Sequence, residues 1–166
     1  MEYSGPEPWL RGTLTDVEPV RRAVLHALEL AGEDAERWCS ALTDAEIFAR
    51  PAGLPPVAFQ LRHIARSLDR LLTYAEHRAL TEAQLAALAS EISEQGSAAE
   101  VMAEFRTGLA LAMQLVRAIT PESFTEVRLV GRKRLPTTVV GLLIHCAEHT
   151  QRHVGQMVTT VKAVKA

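Results

Sequence analysis

Four stretches of this chain repeat apolar residues every three or four positions, each bounded by a helix-starting or helix-stopping signal, and this pattern commits most of it to α-helix. The first runs from Val17 to Leu42 with Val20, Val24, Leu25, Leu28, Trp38 and Leu42 on one stripe, where Pro19 fits only in the first turn. Thr43 and Glu46 then form a capping box for a short turn, and RPAGLPP breaks the chain. A second helix begins near Pro56 and carries Phe59, His63, Leu68, Leu71, Leu72 and Ala75. Thr81 with Gln84 caps a short extra helix that Gly96 closes. Ser97 with Glu100 opens the third long helix, which continues through Phe105, Leu109 and Val116 to Ile119 and stops at Thr120-Pro121. A fourth begins after Pro136, capped by Thr137 or Thr138, and runs nearly to the C-terminus. Each stripe must be buried against the others, so the expected fold is all-α, a four-helix bundle.

Residues 126–135 interrupt this pattern. Val127, Leu129 and Val130 precede Gly131 and the basic run Arg132-Lys133-Arg134, a segment too short and too charged for a core strand, so it is expected to be an extended connection with a solvated basic loop. A faint repeat also runs through the chain. ALTDAEIF and AITPESF close the first and third helices, and Leu54-Pro55 to His63 overlays Leu135-Pro136 to His145 with one residue of slack. Either the turns share chemistry or a helical hairpin is duplicated, in which case His63 and His145 both face the interior. At 166 residues the chain is expected to form one domain, residues 1–166.

Three histidines, His145, His149 and His153, recur at four-residue spacing in GLLIHCAEHTQRHVGQM. Neutral imidazole is a leading ligand for zinc, nickel and iron(II), and a four-residue step stacks two side chains on one helix face. The ends of this series lie about 12 Å apart along the axis, so the helix offers one adjacent pair, and a further ligand must come from elsewhere. His63, in FQLRHIARSLDRLL, is the best candidate. No HExxH pattern is present, because Cys146 and Thr150 stand where the glutamate would be.

The remaining polar residues divide by position. Glu148 lies one step round the helix from His149 and faces a neighbour or solvent. Gln60, one turn before His63, and Gln156, one turn after His153, are candidates to orient ligands or substrate, with a plain surface role as the alternative. His26 reads as a satisfied core histidine and His77 as a helix-end or surface residue. Trp38 belongs to the core, and Trp9 is a candidate to fold over the bundle mouth. Cys39 and Cys146 lack CxxC spacing and read as buried hydrophobes.

Composition narrows the partners. A net charge of −2 and few aromatic residues argue against nucleic acid. The apolar stretches are too short to span a bilayer, and MEYSGPEPWLRG lacks the pattern of a signal peptide, so a cytoplasmic protein with no membrane partner is expected.

Together, LLIHC followed by AEHTQRHVGQ resembles the histidine-rich last helix of the DinB/YfiT superfamily, whose members end in a pattern like H-x-x-x-H-x-x-x-H-x-G-Q. LPPVAFQLRHIARSLDRLL is similar to that family's second helix, which supplies its other metal histidine, and SALTDAEIFARP to its preceding loop. The resemblance implies an up-down-down-up four-helix bundle holding one nickel- or zinc-type ion through three histidines, by position His63, His149 and His153. His145 matches a frequent family histidine that is not usually a ligand, which makes it a pocket candidate. Val154 stands where many relatives carry arginine, whereas Gly155 and Gln156 are kept. Some relatives are thiol S-transferases or thiol-dependent isomerases that use low-molecular-weight thiols, and relatives commonly form homodimers. Leu85, Leu88 and Ile92 in the short extra helix are one candidate dimer patch, with covering the bundle as the alternative.

Three histidines leave a coordination position open, which suits Lewis-acid work on a thiol or water; lowering the pKa of a coordinated thiol would supply a nucleophile without a protein base. The leading expectation is therefore a metal-dependent enzyme acting on a small electrophile with a low-molecular-weight thiol as co-substrate. The alternatives are a non-catalytic metal-binding or stress-related protein, and a structural dimer whose histidines are core polar groups.

Overall fold

The computed structural model describes residues 5–166. It is mostly helical: α1 (Pro19–Cys39), α2 (Asp44–Ile47), α3 (Val57–Ala75), α4 (Glu82–Ser90), α5 (Ala98–Ala118) and α6 (Val139–Lys165), with a two-stranded hairpin, β1 (Val127–Val130) and β2 (Leu135–Thr138), between α5 and α6. The caps read from sequence are in place. Thr43, Thr81 and Ser97 each accept from the backbone N–H three residues on, and Glu46, Gln84 and Glu100 answer with their own side chains. Thr138 caps α6, while α1 uses Glu18, whose carboxylate accepts from the N–H groups of Val20 and Arg21 ahead of Pro19.

Each long helix packs on two others: α3 against α5 and α6, and α1 against the same pair. Between α1 and α5, Arg21 donates to the carbonyls of Arg117 and Ile119, and Glu36 accepts from Arg106. Between α1 and α6, Gln151 donates to the Ala27 carbonyl and Lys162 lies over the Trp38 ring. α3 and α5 approach closely at Gly108, where an added Cβ would stand 2.7 Å from the Cβ of Ala65. Leu25, Leu28, Ile47, Leu61, Ile64, Leu68, Leu72, Phe105, Leu143 and Met157 fill the space between the helices. Cys39 and Cys146 are buried among them without a disulfide, and Trp38 packs half-buried at the edge.

The connection at residues 126–135 is more ordered than a simple extended link. β1 and β2 pair antiparallel with Val127 opposite Thr138 and Leu129 opposite Pro136, so Pro136 belongs to a strand and the helix starts three residues later. Local charge masked this pairing. Arg128, only 8% exposed, braces the hairpin by donating to the carbonyls of Ala75 and Val127 and to Glu126, satisfying a buried cation with tertiary contacts. Trp9 does not close the mouth: it is 62% exposed and its indole donates to Glu7.

Helix α4 has no buried residue of its own. Polar contacts dock it on α3. Gln84 donates to Asp69 and Thr73, and Arg66 donates to the Ala87 carbonyl, while Leu85 and Leu88 remain exposed with Ile92 beyond them.

Candidate metal centre

Gln60, His63, Ser67 and Arg70 recur on α3 at steps of three, four and three, which sets them on one stripe of that helix. This stripe faces His149 and His153, one turn apart on α6. One nitrogen from each of His63, His149 and His153 falls in a set whose members all lie within 4.8 Å of one another. Ring centroids are 5.1 Å apart for His63 and His149, 4.4 Å for His63 and His153, and 4.5 Å for His149 and His153. Among the described residues no other histidine, cysteine or carboxylate joins this set.

Hydrogen bonds decide which nitrogen each ring presents. Nδ1 of His63 lies 2.6 Å from a carboxylate oxygen of Glu91, so it carries the proton and donates, leaving Nε2 as a lone pair. Nδ1 of His153 lies 2.6 Å from Oε1 of Gln60 and is fixed in the same way. Both Nε2 atoms are thereby left free to coordinate, the arrangement in which an acceptor behind the ring orients a metal ligand and raises its basicity. Nε2 of His149 sits 3.0 Å from Nε2 of His63, while its Nδ1 is buried without a partner. Without an ion His149 donates from Nε2 to His63; to present Nε2 as a ligand it must carry its proton on Nδ1 instead, where no acceptor meets it among the described residues. A trio of imidazoles with one orphaned nitrogen and two anchored tautomers fits a divalent cation, whose bonds to histidine are about 2.0–2.1 Å for zinc.

The charge state agrees. Burial, followed by the positive charges of the neighbouring histidines and Arg152, pushes His149 down to about 4; burial, His63 and Arg152 do the same to His153, against smaller opposing effects of Glu91 and Gln156. Both are neutral at pH 7, as ligation requires. Glu91 stays ionised: burial raises its pKa, but the hydrogen bonds and charges of His63 and Arg70 outweigh that and leave it lowered.

Of the residues singled out from sequence, Gln60 is 1% exposed and bonded to His153, so its alternative as a surface residue is overturned. Gln156 is exposed and contributes only a weak hydrogen bond to His153. His145 does not face the interior as a mate of His63; its ring lies 5.2 Å from that of His149, but its Nδ1 turns to Glu148 at 2.6 Å and its side chain is 43% exposed. Glu148 also pairs with Arg152. His26 is buried with Thr13 as its partner, and His77 sits exposed past the end of α3 in a left-handed conformation. Burial pushes both cysteine thiols up to about 12, which removes them as nucleophiles at neutral pH.

Glu91, Arg70 and Ser67 escaped sequence reasoning. Glu91 is 4% exposed, and Arg70 donates to its second oxygen at 2.7 Å and to Ser67 at 3.0 Å; Ser67 in turn lies 3.3 Å from Nε2 of His63. The spacing of Ser67 and Arg70 from His63 was a readable signal, but Glu91 reaches the site from the end of α4 and carried none.

No curated protein matches the chain. The profile of the DinB superfamily matches residues 27–157, a span that contains all three clustered histidines and every long helix except the first turns of α1 and the end of α6. The chain belongs to the DinB superfamily.

Proposed function

We propose that this protein is a metal-dependent enzyme of the DinB/YfiT type, in which His63, His149 and His153 hold one divalent ion, nickel or zinc, and a low-molecular-weight thiol reacts with a small electrophile. The observation that carries the reading is the pair of Nδ1–H groups anchored on Glu91 and Gln60, which commits two Nε2 lone pairs to coordination. When bound, the ion supplies Lewis acidity that lowers the pKa of a thiol or water at the open position. The chain's own residues hold the His63 and His153 rings in one tautomer, keep His149 and His153 neutral and keep the buried thiols out of the chemistry. Arg21 against Arg117 and Glu36 against Arg106 support α1 and α5 running in opposite senses; Ala27 against Gln151 and Trp38 against Lys162 support α1 and α6 running in the same sense. With Gln60 against His153 and His63 against His149, they favour an up-down-down-up four-helix bundle as one domain.

A second reading is metal binding without turnover, in which Glu91, shared by His63 and Arg70, serves only to hold the ligand ring. Cobalt-substituted protein separates the two. Addition of a small thiol is expected to produce a sulfur-to-metal charge-transfer band and, with an electrophile present, thiol consumption; neither across several thiols would leave the catalytic reading without support. A homodimer in the cytoplasm is part of the proposal, with Leu85, Leu88 and Ile92 as its apolar patch, since each is more than 40% exposed on or just beyond α4, which buries no residue of its own. No helix of the described residues is long and apolar enough to cross a membrane. Light scattering at micromolar concentration that gives a monomer mass would remove the dimer.

A further inference from the structure

A cavity lies where the end of α3 and the start of α4 meet the hairpin, with a volume of about 590 Å³, and it shares no residue with the histidine cluster. Its size falls within the range of small-molecule sites. Leu80, Leu85, Val127 and Leu129 supply apolar walls, and the last three are 45%, 59% and 40% exposed, so the fold leaves a substantial apolar surface open there. Among the described residues all the formal charge lining it is positive: Arg78, Arg128, Arg132 and Arg134 line the cavity and no carboxylate does, in a chain whose net charge is −2.

These cations are not equivalent. Arg128 is consumed in bracing the hairpin, and Arg78 pairs with Glu76. The side chains of Arg132 and Arg134 have no hydrogen-bond or ion-pair partner among the described residues, and neither has Lys133 between them. Two guanidinium forks thus stand over an apolar groove with their donors uncommitted, a geometry matched to a carboxylate or phosphate. Arg134 is also held at φ +49°, a conformation that suits glycine and that L side chains rarely adopt. His77, across the cavity, is held at φ +61°. The turn therefore keeps an arginine at a position where its backbone favours glycine.

We propose that this groove binds a small organic anion with an apolar body, its charged head on Arg132 and Arg134 and its body along Val127, Leu129 and Leu80, none of which belongs to the proposed dimer patch. Charge complementarity selects the head and the exposed aliphatic walls select the body. The site is independent of the metal centre and stands whether or not that centre is catalytic.

The full chain is titrated calorimetrically at low ionic strength with decanoate, with decanol as the uncharged match and inorganic phosphate as the charge without a body. Decanoate is expected to bind at least about tenfold more tightly than either, because decanol lacks the charge-assisted contact and phosphate lacks the buried methylenes, each worth that much. Arg132→Gln/Arg134→Gln and Leu129→Ser should each weaken it by about tenfold or more. His149→Ala should leave it unchanged, which separates this groove from an anion caught at the histidines. Arg134→Gly is the decisive variant: it removes a cation while relaxing the backbone, so it should lose affinity without a fall in melting temperature. Equal binding of decanol, undiminished affinity in Arg134→Gly, loss of binding in His149→Ala, or attachment only to phosphatidylglycerol vesicles with no response to decanoate would each overturn the proposal.

Discussion

Glu91 is the residue whose replacement tests the metal centre most directly. Its carboxylate, 4% exposed, accepts from Nδ1 of His63 at 2.6 Å and from Arg70 at 2.7 Å, so it fixes a ring and neutralises a guanidinium that is itself 11% exposed. Glu91→Ala strands that cation and is expected to destabilise the protein by about 3–5 kcal/mol, the range for breaking a buried pair by removing one partner. Glu91→Gln keeps the shape and one acceptor but removes the charge, which should cost about 1.5–3 kcal/mol. In the Gln variant the support behind His63 weakens, and zinc affinity should fall about 10- to 100-fold, or about 1.4–2.7 kcal/mol. Competition with a chromophoric chelator at pH 7.5 measures the affinity, and urea unfolding of the metal-free protein measures the stability. Gln84→Ala is the control, because it removes the bonds that hold α4 to Asp69 and Thr73 without touching His63. Wild-type zinc affinity in Glu91→Gln, or an equal loss in Gln84→Ala, would refute the argument that Glu91 acts through the imidazole.

Other substitutions probe the rest of the design. His149→Ala should abolish stoichiometric metal while leaving the circular dichroism of the helices intact, and His145→Ala should retain the metal; elemental analysis of the two purified variants decides between the adjacent pairs. Gly108→Ala should lower stability by about 1–3 kcal/mol, since its methyl would meet Ala65 at 2.7 Å and force α3 and α5 apart; an unchanged urea midpoint would show that the helices yield freely. His149 and His153 titrate near 4 when folded and near 6.5 when unfolded, so below pH 6.5 the unfolded chain takes up protons that the folded one refuses. Metal-free protein should therefore lose stability as pH falls from 6.5 toward 4, with a slope of up to about 1.4 kcal/mol per pH unit for each histidine and a shallower slope in His149→Ala. Cys39 and Cys146 should resist a thiol reagent in the native protein at pH 8 and react only after unfolding, because both are buried with thiols pushed up to about 12.

Sequence by itself determined the helices and the histidines from which the cluster is drawn. Three capping boxes, the breaking prolines and the three- and four-residue apolar repeat are local signals that act within a turn or two, and the helices begin close to where they indicated. The four-residue step of His149 and His153 is equally local, since one helix face presents both rings. Tertiary structure decided what those local rules cannot reach. Whether His145 or His153 joins His149 depends on what α3 brings opposite each: Gln60 and His63 meet His153, while His145 finds Glu148 and solvent. Glu91 enters the site from the end of a helix that buries nothing of its own, held by polar bonds whose partners lie many residues away. The seating of the β1–β2 hairpin on the bundle likewise uses Arg128, which reaches the Ala75 carbonyl across the fold. Periodicity encodes which face of a helix is buried, but a side chain's partners on other elements follow from how those faces are set against each other in space.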